Sequence, residues 1–250
     1  MSLSVITPTE ERPDRLIRLY QQLRLQRLAD WEWIIYDCSL RPCKEIQAYN
    51  DPRIRYFHTV DRITIGERRN QLVKLAKSDL IVHFDDDDYY APEYLAIVKE
   101  ALKQADLFHI DSWFAYHEGS KQYFYWDSQV TTPRRMSINP LIGATVREIN
   151  FGQEATRKMV ETGYGFTFAY RKEVALQHPF PDLDHREDTN FFSNFIDKRI
   201  VSLADRDGVV LKVIHDNNVS CIFPQYMIPR FLLNLTHPHL FAHENRTSCS

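Results

Sequence analysis

Four consecutive aspartates, Asp85–Asp88, directly follow the mainly apolar run Leu80–Phe84. Adjacent carboxylates repel one another by about 1 kcal/mol per close pair even in water, so a positive partner is expected beside them. Mg²⁺ and Mn²⁺ bind one or two carboxylates and complete their coordination with water and substrate phosphates. The first, third and fourth aspartates form the pattern D-x-D-D, which predicts such a cation site. The alternative is a solvated acidic turn that caps the helix expected at Pro92, where negative charge is favourable.

The elements that must position these acids alternate between strand and helix. Short apolar runs predict four strands, at Leu3–Pro8, Trp31–Asp37, Arg53–His58 and Leu80–Phe84. Helical patterns begin near Pro13, Gly66 and Pro92. This order is typical of an α/β fold with a mainly parallel sheet flanked by helices. Ligands in such sheets bind beyond the carboxyl ends of the strands, which is where the aspartates stand.

From Asp106 onwards the sequence becomes aromatic and strand-like, with a turn expected at residues 118–120. Further patterns predict a strand leading into a short helix at 165–175, a helix at 187–197, and a strand at 208–215. The sequence has no internal repeat, low-complexity segment or obvious linker. We therefore expect one domain, residues 1–250, with two functional halves and a tail: 1–110, 111–220 and 221–250.

Composition and charge exclude several classes of protein. A formal net charge of -3 and the lack of a basic run give no reason to expect a nucleic-acid partner. The four cysteines are scattered and form no CxxC pair, so neither a zinc site nor a disulfide framework is indicated. No segment has the pattern of a signal peptide or reaches the roughly 18–20 apolar residues of a membrane-spanning helix. These features predict a cytoplasmic protein.

The aspartates and the segment before them resemble the family-2 glycosyltransferases of the GT-A fold. That family's signature is a glycine, an Arg-Asn pair opening a helix, an alanine, and a strand ending in D-x-D-D, with proline and leucine downstream. The matching residues here are Gly66, Arg69–Asn70, Ala76, Asp85–Asp88, Pro92 and Leu95. The segments SVITPT and WEWIIYDCS are also similar to the family's first two strands, so the resemblance extends from Leu3 to about Ser220.

The resemblance implies a GT-A fold with a Rossmann-like nucleotide-sugar-binding half, residues 1–110, and an acceptor-binding and catalytic half, residues 111–220. It implies an inverting transfer of a sugar from a nucleotide donor, with UDP the expected nucleotide, to a hydroxyl of a glycan or lipid-linked acceptor. Mn²⁺ or Mg²⁺ is the expected cofactor. The apolar tail, 221–250, is expected to close the core, or to contact another subunit or the inner face of a membrane.

The family's functional residues can be carried over onto the matching positions. The nucleotide would be bound by Thr7, Pro8, Thr9, Asp37, Arg69, Asp85 and Asp86, with Asp37 accepting a hydrogen bond from the base. The metal would be held by Asp87, Asp88 and His215. The acceptor and donor-sugar pocket would include Tyr164, Gly165, Phe166 and Glu187. Asp188 would be the catalytic base.

The role of Asp188 also follows from the chemistry of the reaction. A sugar hydroxyl that attacks an anomeric carbon needs a carboxylate to accept its proton. Non-functional interpretations of two of these sites stay open. Glu187 and Asp188 could simply be acids at a helix N-terminus, where they are common. His215 could be structural, as a histidine that ends a strand often is. Two residues depart from the family pattern: Gln71 stands where glycine is frequent, and Asp86 where the family usually has a small or polar residue.

Two other functions share some of these features. A haloacid-dehalogenase-type phosphatase also carries an apolar strand followed by D-x-D, but on its first strand and with Thr or Val soon after the second acid. Here Tyr89 follows, and three strands precede the motif. A catalytically inactive sugar- or nucleotide-binding module is the second alternative, although the acids, the base and the Arg-Asn pair are all present.

Overall fold

The computed structural model of the chain describes residues 2–132, 134–139, 145–150, 164–195, 197–218 and 220–240. In chain order the strands are β1 (Leu3–Thr9), β2 (Trp31–Asp37), β3 (Ile54–His58), β4 (Leu80–His83), β5 (Tyr89–Tyr90), β6 (Leu107–His117), β7 (Gln122–Trp126), β8 (Arg134–Asn139), β9 (Thr145–Asn150), β10 (Ala169–Arg171), β11 (Ile200–Ala204), β12 (Val210–Ile214) and β13 (Tyr226–Ile228). The helices are α1 (Pro13–Leu25), α2 (Lys44–Ala48), α3 (Ile65–Leu75), α4 (Tyr94–Ala101), α5 (Lys172–Gln177), α6 (Glu187–Phe192) and α7 (Leu233–Thr236).

The described residues divide into two compact units. The first unit contains residues 2–88, 92–110 and 164–203, and the second contains 89–91, 111–132, 134–139, 145–150 and 204–240, apart from the residues not described. Both units are therefore assembled from segments that are distant along the chain. Whether the chain acts as the single domain with halves 1–110 and 111–220 stays a prediction.

The sheet of the first unit confirms the predicted parallel α/β arrangement. β1 lies between β2 and β4, β3 pairs with the far side of β2, and all three pairings are parallel. β10 pairs antiparallel with β4 and with the first residues of β6. Because β1 and β4 are parallel neighbours, with Ile6 opposite His83, their carboxyl ends lie at the same edge of the sheet.

The helices of the first unit largely follow the predicted patterns. α1 begins at Pro13, as predicted, and α3 begins after Thr64, whose side chain accepts a hydrogen bond from Glu67 N at 3.2 Å. The helix predicted at 187–197 is shorter, because α6 ends at Phe192 and continues as a 3₁₀ turn, Ser193–Phe195. The short α2 was not predicted.

The core of the first unit joins the sheet to α3, α5 and α6. Side chains from β1, β2 and β4, such as Ile6, pack with Leu72 of α3 and with an aromatic group that includes Phe180 and Phe191. The rings of Phe180 and Phe191 are stacked with centroids 3.9 Å apart. This packing fixes the segment that precedes α6 against α3, and both carry candidate site residues.

The second unit is built on a smaller mixed sheet. β7 pairs antiparallel with β6 and with β13, while β12 pairs parallel with β6 and antiparallel with β5. β8 and β9 form a separate antiparallel pair. Trp113 and Trp126, from the aromatic segment that begins after Asp106, are 1% exposed and stack on each other. They belong to the core.

The tail is described as far as Leu240, so Phe241 and the residues after it lie outside the described part. β13 and α7 belong to this tail, and Leu233 packs into the core of the second unit. Other apolar side chains of the tail, including Met227, Phe231 and Leu235, are exposed. Among the described residues, no helix has both the length and the apolar composition needed to cross a membrane.

Candidate functional site

The four aspartates lie just beyond the end of β4. Phe84 N donates to Ile6 O of β1 at 3.1 Å, so the chain is still attached to the sheet one residue before Asp85. Asp86, Asp87 and Asp88 are 5%, 8% and 3% exposed. Three carboxylates this deeply buried do not form a solvated acidic turn, because ionised groups are stable in a protein interior only when they are paired.

Asp86 and Asp87 share a cationic partner, Arg12. The Arg12 Nη1 group donates to Asp86 Oδ1 and to Asp87 Oδ2, each at 2.9 Å, and Thr9 Oγ1 donates to Asp86 Oδ2 at 2.6 Å. Burial, together with the charge of Asp87, raises the pKa of Asp86 to about 6 although Arg12 opposes the shift. Burial disfavours the charge of Arg12, but the two carboxylates outweigh it and raise the Arg12 pKa.

The end of β1 carries the other residues predicted to line the nucleotide pocket. Thr7 is fully buried; its Oγ1 donates to Phe84 O at 2.7 Å and accepts from Trp33 Nε1 at 2.9 Å. Pro8 is half-buried opposite Tyr36 of β2. The hydroxyl of Thr7 therefore ties β1 to its neighbours on both sides, and contact of Thr7 or Pro8 with a nucleotide stays a prediction.

Asp37, at the end of β2, is 1% exposed and held by donors of its own chain. Its Oδ1 accepts from Ser39 N at 2.8 Å and from Ser39 Oγ, and its Oδ2 accepts from the hydroxyl of Tyr56. Burial and the bond to Asp37 raise the pKa of Tyr56, which keeps its hydroxyl protonated as a donor. A carboxylate oxygen accepts two hydrogen bonds, so Oδ2 retains capacity for one further donor, such as a base N–H.

Arg69 joins the acids after β4 to the acids of α6. Its Nη2 donates to Asp85 Oδ1 at 3.3 Å, and its Nε lies 3.5 Å from Glu187 Oε1. The Arg69 side chain is 4% exposed; burial disfavours its charge, but Asp85 and Glu187 outweigh this and raise its pKa. A buried cation between two carboxylates holds both in place, so Arg69 links two groups of predicted site residues that are distant in sequence.

The neighbours of Arg69 explain why the family signature places asparagine next to it. Asn70 Nδ2 donates to Phe180 O and Phe180 N donates to Asn70 Oδ1, both at 2.9 Å. At the start of α3, Gly66 N donates to Leu183 O at 3.0 Å, and a side chain at Gly66 would collide with the carbonyl of Pro181. The helix that carries Arg69 is therefore fastened to the loop that leads into α6.

Asp188 lies in the first turn of α6, where two backbone groups orient its carboxylate. Gly165 N donates to Asp188 Oδ2 at 3.0 Å, and Thr189 N donates to Asp188 Oδ1 at 2.7 Å. A Cβ atom at Gly165 would lie 2.6 Å from the Asp188 Cβ, so only glycine allows this approach. Asp188 is half-buried, which leaves its carboxylate within reach of a substrate.

Glu187, next to Asp188, is 6% exposed. Burial raises its pKa to about 7; Arg69 counteracts the shift and Asp188 adds to it. A buried acid whose pKa is raised towards neutrality is a common feature of active sites. Glu187 is therefore suited to hold a proton near neutral pH, whereas Asp188 is only half-buried.

The other predicted pocket residues form a short turn before β10. Gly165–Thr167 is a 3₁₀ turn, in which Thr167 N donates to Tyr164 O at 3.1 Å. Phe166 is 5% exposed and Tyr164 is half-buried. The contact of Tyr164, Gly165 and Phe166 with a sugar stays a prediction, while the contact of Gly165 with Asp188 is a feature of the fold.

His215 belongs to the second unit, where it follows β12. Its backbone N donates to Asn218 Oδ1 at 2.5 Å, and Asn217 N donates to His215 Nδ1 at 3.2 Å. The residue is 7% exposed. Since Nδ1 accepts a hydrogen bond within this turn, the neutral ring carries its proton on Nε2, and binding a metal ion through Nε2 requires the other tautomer. Its role as a metal ligand stays a prediction.

Two buried groups at the end of β1 and β4 were missed by sequence reasoning. Arg68, 4% exposed, pairs with Glu10, and its Nη1 donates to Thr9 O at 3.2 Å. His83 lies with Nδ1 2.7 Å from Gly165 O, and burial, with the charge of Arg69, lowers its pKa. Their positions gave only a weak signal: Arg68 precedes Arg69, and His83 lies two residues before Asp85.

The donor atoms present fit a divalent cation of the Mg²⁺ or Mn²⁺ type. Asp86–Asp88 offer hard carboxylate oxygens, and a cation, Arg12, already lies against two of them. In the described part of the chain, no group of three or more His, Cys, Asp or Glu residues is arranged to hold a metal ion.

Comparison with protein families identifies the family of the chain. The model of the family described as glycosyl transferase family 2 matches residues 4–175, a range that runs from the second residue of β1 into α5 and includes the four aspartates. The chain belongs to this family. The resemblance to the family that was inferred from the sequence is thereby confirmed.

Two curated relatives carry related names. One, from Escherichia coli strain K12, is named for a colanic acid biosynthesis glycosyl transferase, WcaA; it is 33% identical over 99 residues, which are 38% of this chain and 36% of WcaA. The other is an uncharacterized glycosyltransferase of Haemophilus influenzae, 26% identical over 145 residues, or 56% of this chain and 48% of the relative. The chain thus spans less than half of the length of either relative.

Solved structures confirm the GT-A fold class. TarS residues 1–349 of S. aureus in complex with UDP-GlcNAc gives a TM-score of 0.62 at 19% identity, over 87% of this chain and 60% of TarS. The mannosyltransferase PcManGT of Pyrobaculum calidifontis, in complex with GDP-Man and Mn²⁺, gives a TM-score of 0.57 at 13% identity, over 85% of this chain and 56% of PcManGT. At these identities the likeness concerns the fold.

Proposed function

We propose that the chain is a metal-dependent, inverting glycosyltransferase. It moves a sugar from a UDP donor to a hydroxyl of a glycan or lipid-linked acceptor. The observation that carries the proposal is the link through Arg69, which contacts both Asp85 and Glu187. It joins the acids predicted to serve the donor to the helix that carries the predicted base. A protein that only bound a nucleotide would have no need of this second group of acids.

The chain's own residues account for binding the donor. Asp37 has capacity for one more hydrogen bond and would accept it from the N–H of a uracil ring. Asp87 and Asp88 would hold Mn²⁺ or Mg²⁺, and the bound ion would supply charge stabilisation for the leaving diphosphate. Arg69 keeps Asp85 oriented at the edge of the sheet where a ligand of a parallel sheet binds.

Asp188 would remove the proton from the acceptor hydroxyl. Its Oδ1 and Oδ2 each accept a backbone hydrogen bond, so the carboxylate is oriented before substrate arrives. A single displacement by the acceptor oxygen breaks the bond between the anomeric carbon and the diphosphate and inverts the configuration. The acceptor proton moves to Asp188, and the bonding electrons leave with the nucleoside diphosphate. The acceptor class and a location at the cytoplasmic face of a membrane stay predictions.

The proposal is tested by screening a panel of UDP- and GDP-sugars for donor hydrolysis in the presence of Mn²⁺. We expect the wild type to hydrolyse one UDP-sugar slowly and Asp87→Ala to lose this activity by at least about 100-fold. Asp79→Ala is the matched control, because Asp79 is an exposed aspartate at the other end of the same strand. Equal hydrolysis by the wild type and Asp87→Ala, or activity without a divalent ion, would contradict the proposal.

A further inference from the structure

Arg12 contacts the same acids that the proposed function assigns to the divalent cation. One nitrogen, Nη1, lies 2.9 Å from Asp86 Oδ1 and 2.9 Å from Asp87 Oδ2. The side chains of Asp86 and Asp87 are 4% and 6% exposed, and that of Arg12 is 23% exposed. The guanidinium is therefore more exposed than the two carboxylates that it joins.

Asp86 is the acid that the family pattern does not require, and its contacts with Thr9 and Arg12 indicate a role in holding Arg12. Thr9 Oγ1 holds Asp86 Oδ2 at 2.6 Å, which fixes the carboxylate so that Oδ1 faces Arg12. Leaving one partner of a buried ion pair alone is costly, so this pair is expected to persist. Asp86 thus gives Arg12 an attachment that does not depend on Asp87.

A divalent ion on Asp87 and a guanidinium on the same carboxylate would repel each other at contact distance. Arg12 keeps a carboxylate partner if it leaves Asp87, because Asp86 accepts from the same Nη1 group. We propose that Arg12 is an internal counter-ion that competes with the divalent cation for Asp87, and that Asp86 retains Arg12 when the cation binds. This inference rests on the proposed function and gives the second aspartate of the run, Asp86, a role.

The exchange has a consequence for donor binding. Arg12 weakens the binding of a free metal ion, because the ion must first displace it from Asp87. A nucleotide diphosphate that arrives with the ion brings negative charge, which offsets the repulsion between the ion and the retained guanidinium. The site therefore favours the metal–nucleotide complex over the metal alone.

Mn²⁺ binding tests the inference without measuring activity. Free Mn²⁺ is counted by electron paramagnetic resonance during titration of wild type, Arg12→Gln, Arg18→Gln and Asp87→Asn, with and without UDP. We expect Arg12→Gln to bind Mn²⁺ alone about fivefold more tightly than the wild type. Arg18→Gln removes the same charge from an exposed position of α1 and should match the wild type.

Thermal unfolding supplies a second readout. Without metal, Arg12→Gln should melt below the wild type because Asp86 and Asp87 lose their counter-ion, and Mn²⁺ should raise its melting temperature more than that of the wild type. Arg12→Lys keeps the charge but lacks the planar guanidinium. Its melting temperature without metal, and the increase caused by Mn²⁺, should lie between those of the wild type and Arg12→Gln. This variant preserves the test if Arg12→Gln does not fold.

The outcomes separate this inference from the proposed function. Two results would overturn the competition alone, provided that Mn²⁺ binding depends on Asp87. One is an equal Mn²⁺ affinity in the wild type and Arg12→Gln. The other is an affinity that rises as much in Arg18→Gln as in Arg12→Gln. A wild type that binds no Mn²⁺ even with UDP overturns both the competition and the proposed function. Tighter binding confined to the Arg12 variants establishes the competition.

Discussion

At the scale of the residue, Asp188 is oriented by the fold before any substrate is present. Gly165 N and Thr189 N each donate to one of its oxygens, at 3.0 and 2.7 Å. These two hydrogen bonds fix the direction in which the carboxylate oxygens point, which is the geometry that a proton acceptor requires. The buried neighbour, Glu187, has a pKa raised to about 7 by burial.

Asp188→Asn is expected to lower the rate of transfer by about 10²–10⁴, because the amide keeps the shape of the side chain but accepts no proton. Donor binding should change little. The measurement is kcat for transfer together with the Kd for UDP, with Asp197→Asn, an exposed aspartate soon after the same helix, as the control. Full activity in Asp188→Asn would exclude it as the base.

Glu187 should make stability fall as the pH rises. Its folded-state pKa, about 7, lies above the ordinary value of 4.5, so the native state holds a proton that the unfolded chain has lost. This contribution is complete below pH 4.5 and disappears as the pH passes 7. Glu187→Gln should remove about 2–3 kcal/mol of the stability difference between pH 5 and pH 8, as measured by urea unfolding. Glu173→Gln, at an exposed site, should leave this stability difference unchanged. An equal dependence of the free energy of unfolding on pH in the wild type and Glu187→Gln would refute the raised pKa.

The sequence predicted the residues whose type is itself the signal. The run Asp85–Asp88 and the pair Glu187–Asp188 are visible as unusual acids at the ends of predicted elements. Arg12 and Arg68 were not predicted as site residues, because an arginine in a sequence is by default a solvated charge. Their significance lies in their burial against Asp86 and Glu10, which depends on how distant segments pack and cannot be inferred from spacing.

At the scale of the element, the approach of the Gly165–Thr167 turn to α6 positions Asp188, the proposed base. A methyl group at Gly165 would lie 2.8 Å from Asp188 Oδ2 and 2.6 Å from its Cβ, so α6 or the turn must shift. Gly165→Ala should therefore lower kcat by at least about tenfold, since small misplacements of catalytic groups are costly. Gly119→Ala is the matched control, because its Cβ would meet only the His117 ring, at 3.3 Å. Equal kcat in the two variants would contradict this role.

The attachment of α3 to the loop before α6 is the second element-scale feature. Asn70→Asp keeps the acceptor for Phe180 N but loses the donor to Phe180 O and places two oxygens against each other. We expect a loss of about 1–3 kcal/mol in the free energy of unfolding, measured by urea denaturation. Asn50→Asp, at an exposed position, should be neutral. Unchanged stability in Asn70→Asp would show that this attachment is dispensable.

Helices were predicted where the apolar pattern extends over several turns, and strands where a run of buried apolar residues marks them. β1 to β4 and α1 follow from apolar runs and a proline at a helix start. α2, with five residues, and β5, with two, are too short to produce a periodic pattern. The end of α6 at Phe192 was also not predicted, because the 3₁₀ turn that follows keeps Phe195 in the core and continues the apolar pattern.

At the scale of the whole molecule, the first unit holds Asp85–Asp88, Arg69 and Asp188, although residues 89–91 and 111–132, which lie between Asp88 and Asp188 along the chain, belong to the second unit. The family model covers residues 4–175, and α6 follows it. The sequence could predict this union only through the resemblance, since neither spacing nor composition indicates that α6 returns to the sheet of β1–β4. The formal net charge of -3 is consistent with an anionic donor that binds through local cations rather than through a basic surface.

The most direct test of the central claim is a crystal structure with UDP and Mn²⁺, with anomalous diffraction recorded at the manganese edge. We predict an anomalous peak in contact with Asp87 and with both phosphates of UDP, and a uracil ring within hydrogen-bond distance of Asp37. UDP bound at the sheet edge without manganese beside Asp87, or manganese bound away from the aspartates, would contradict the account.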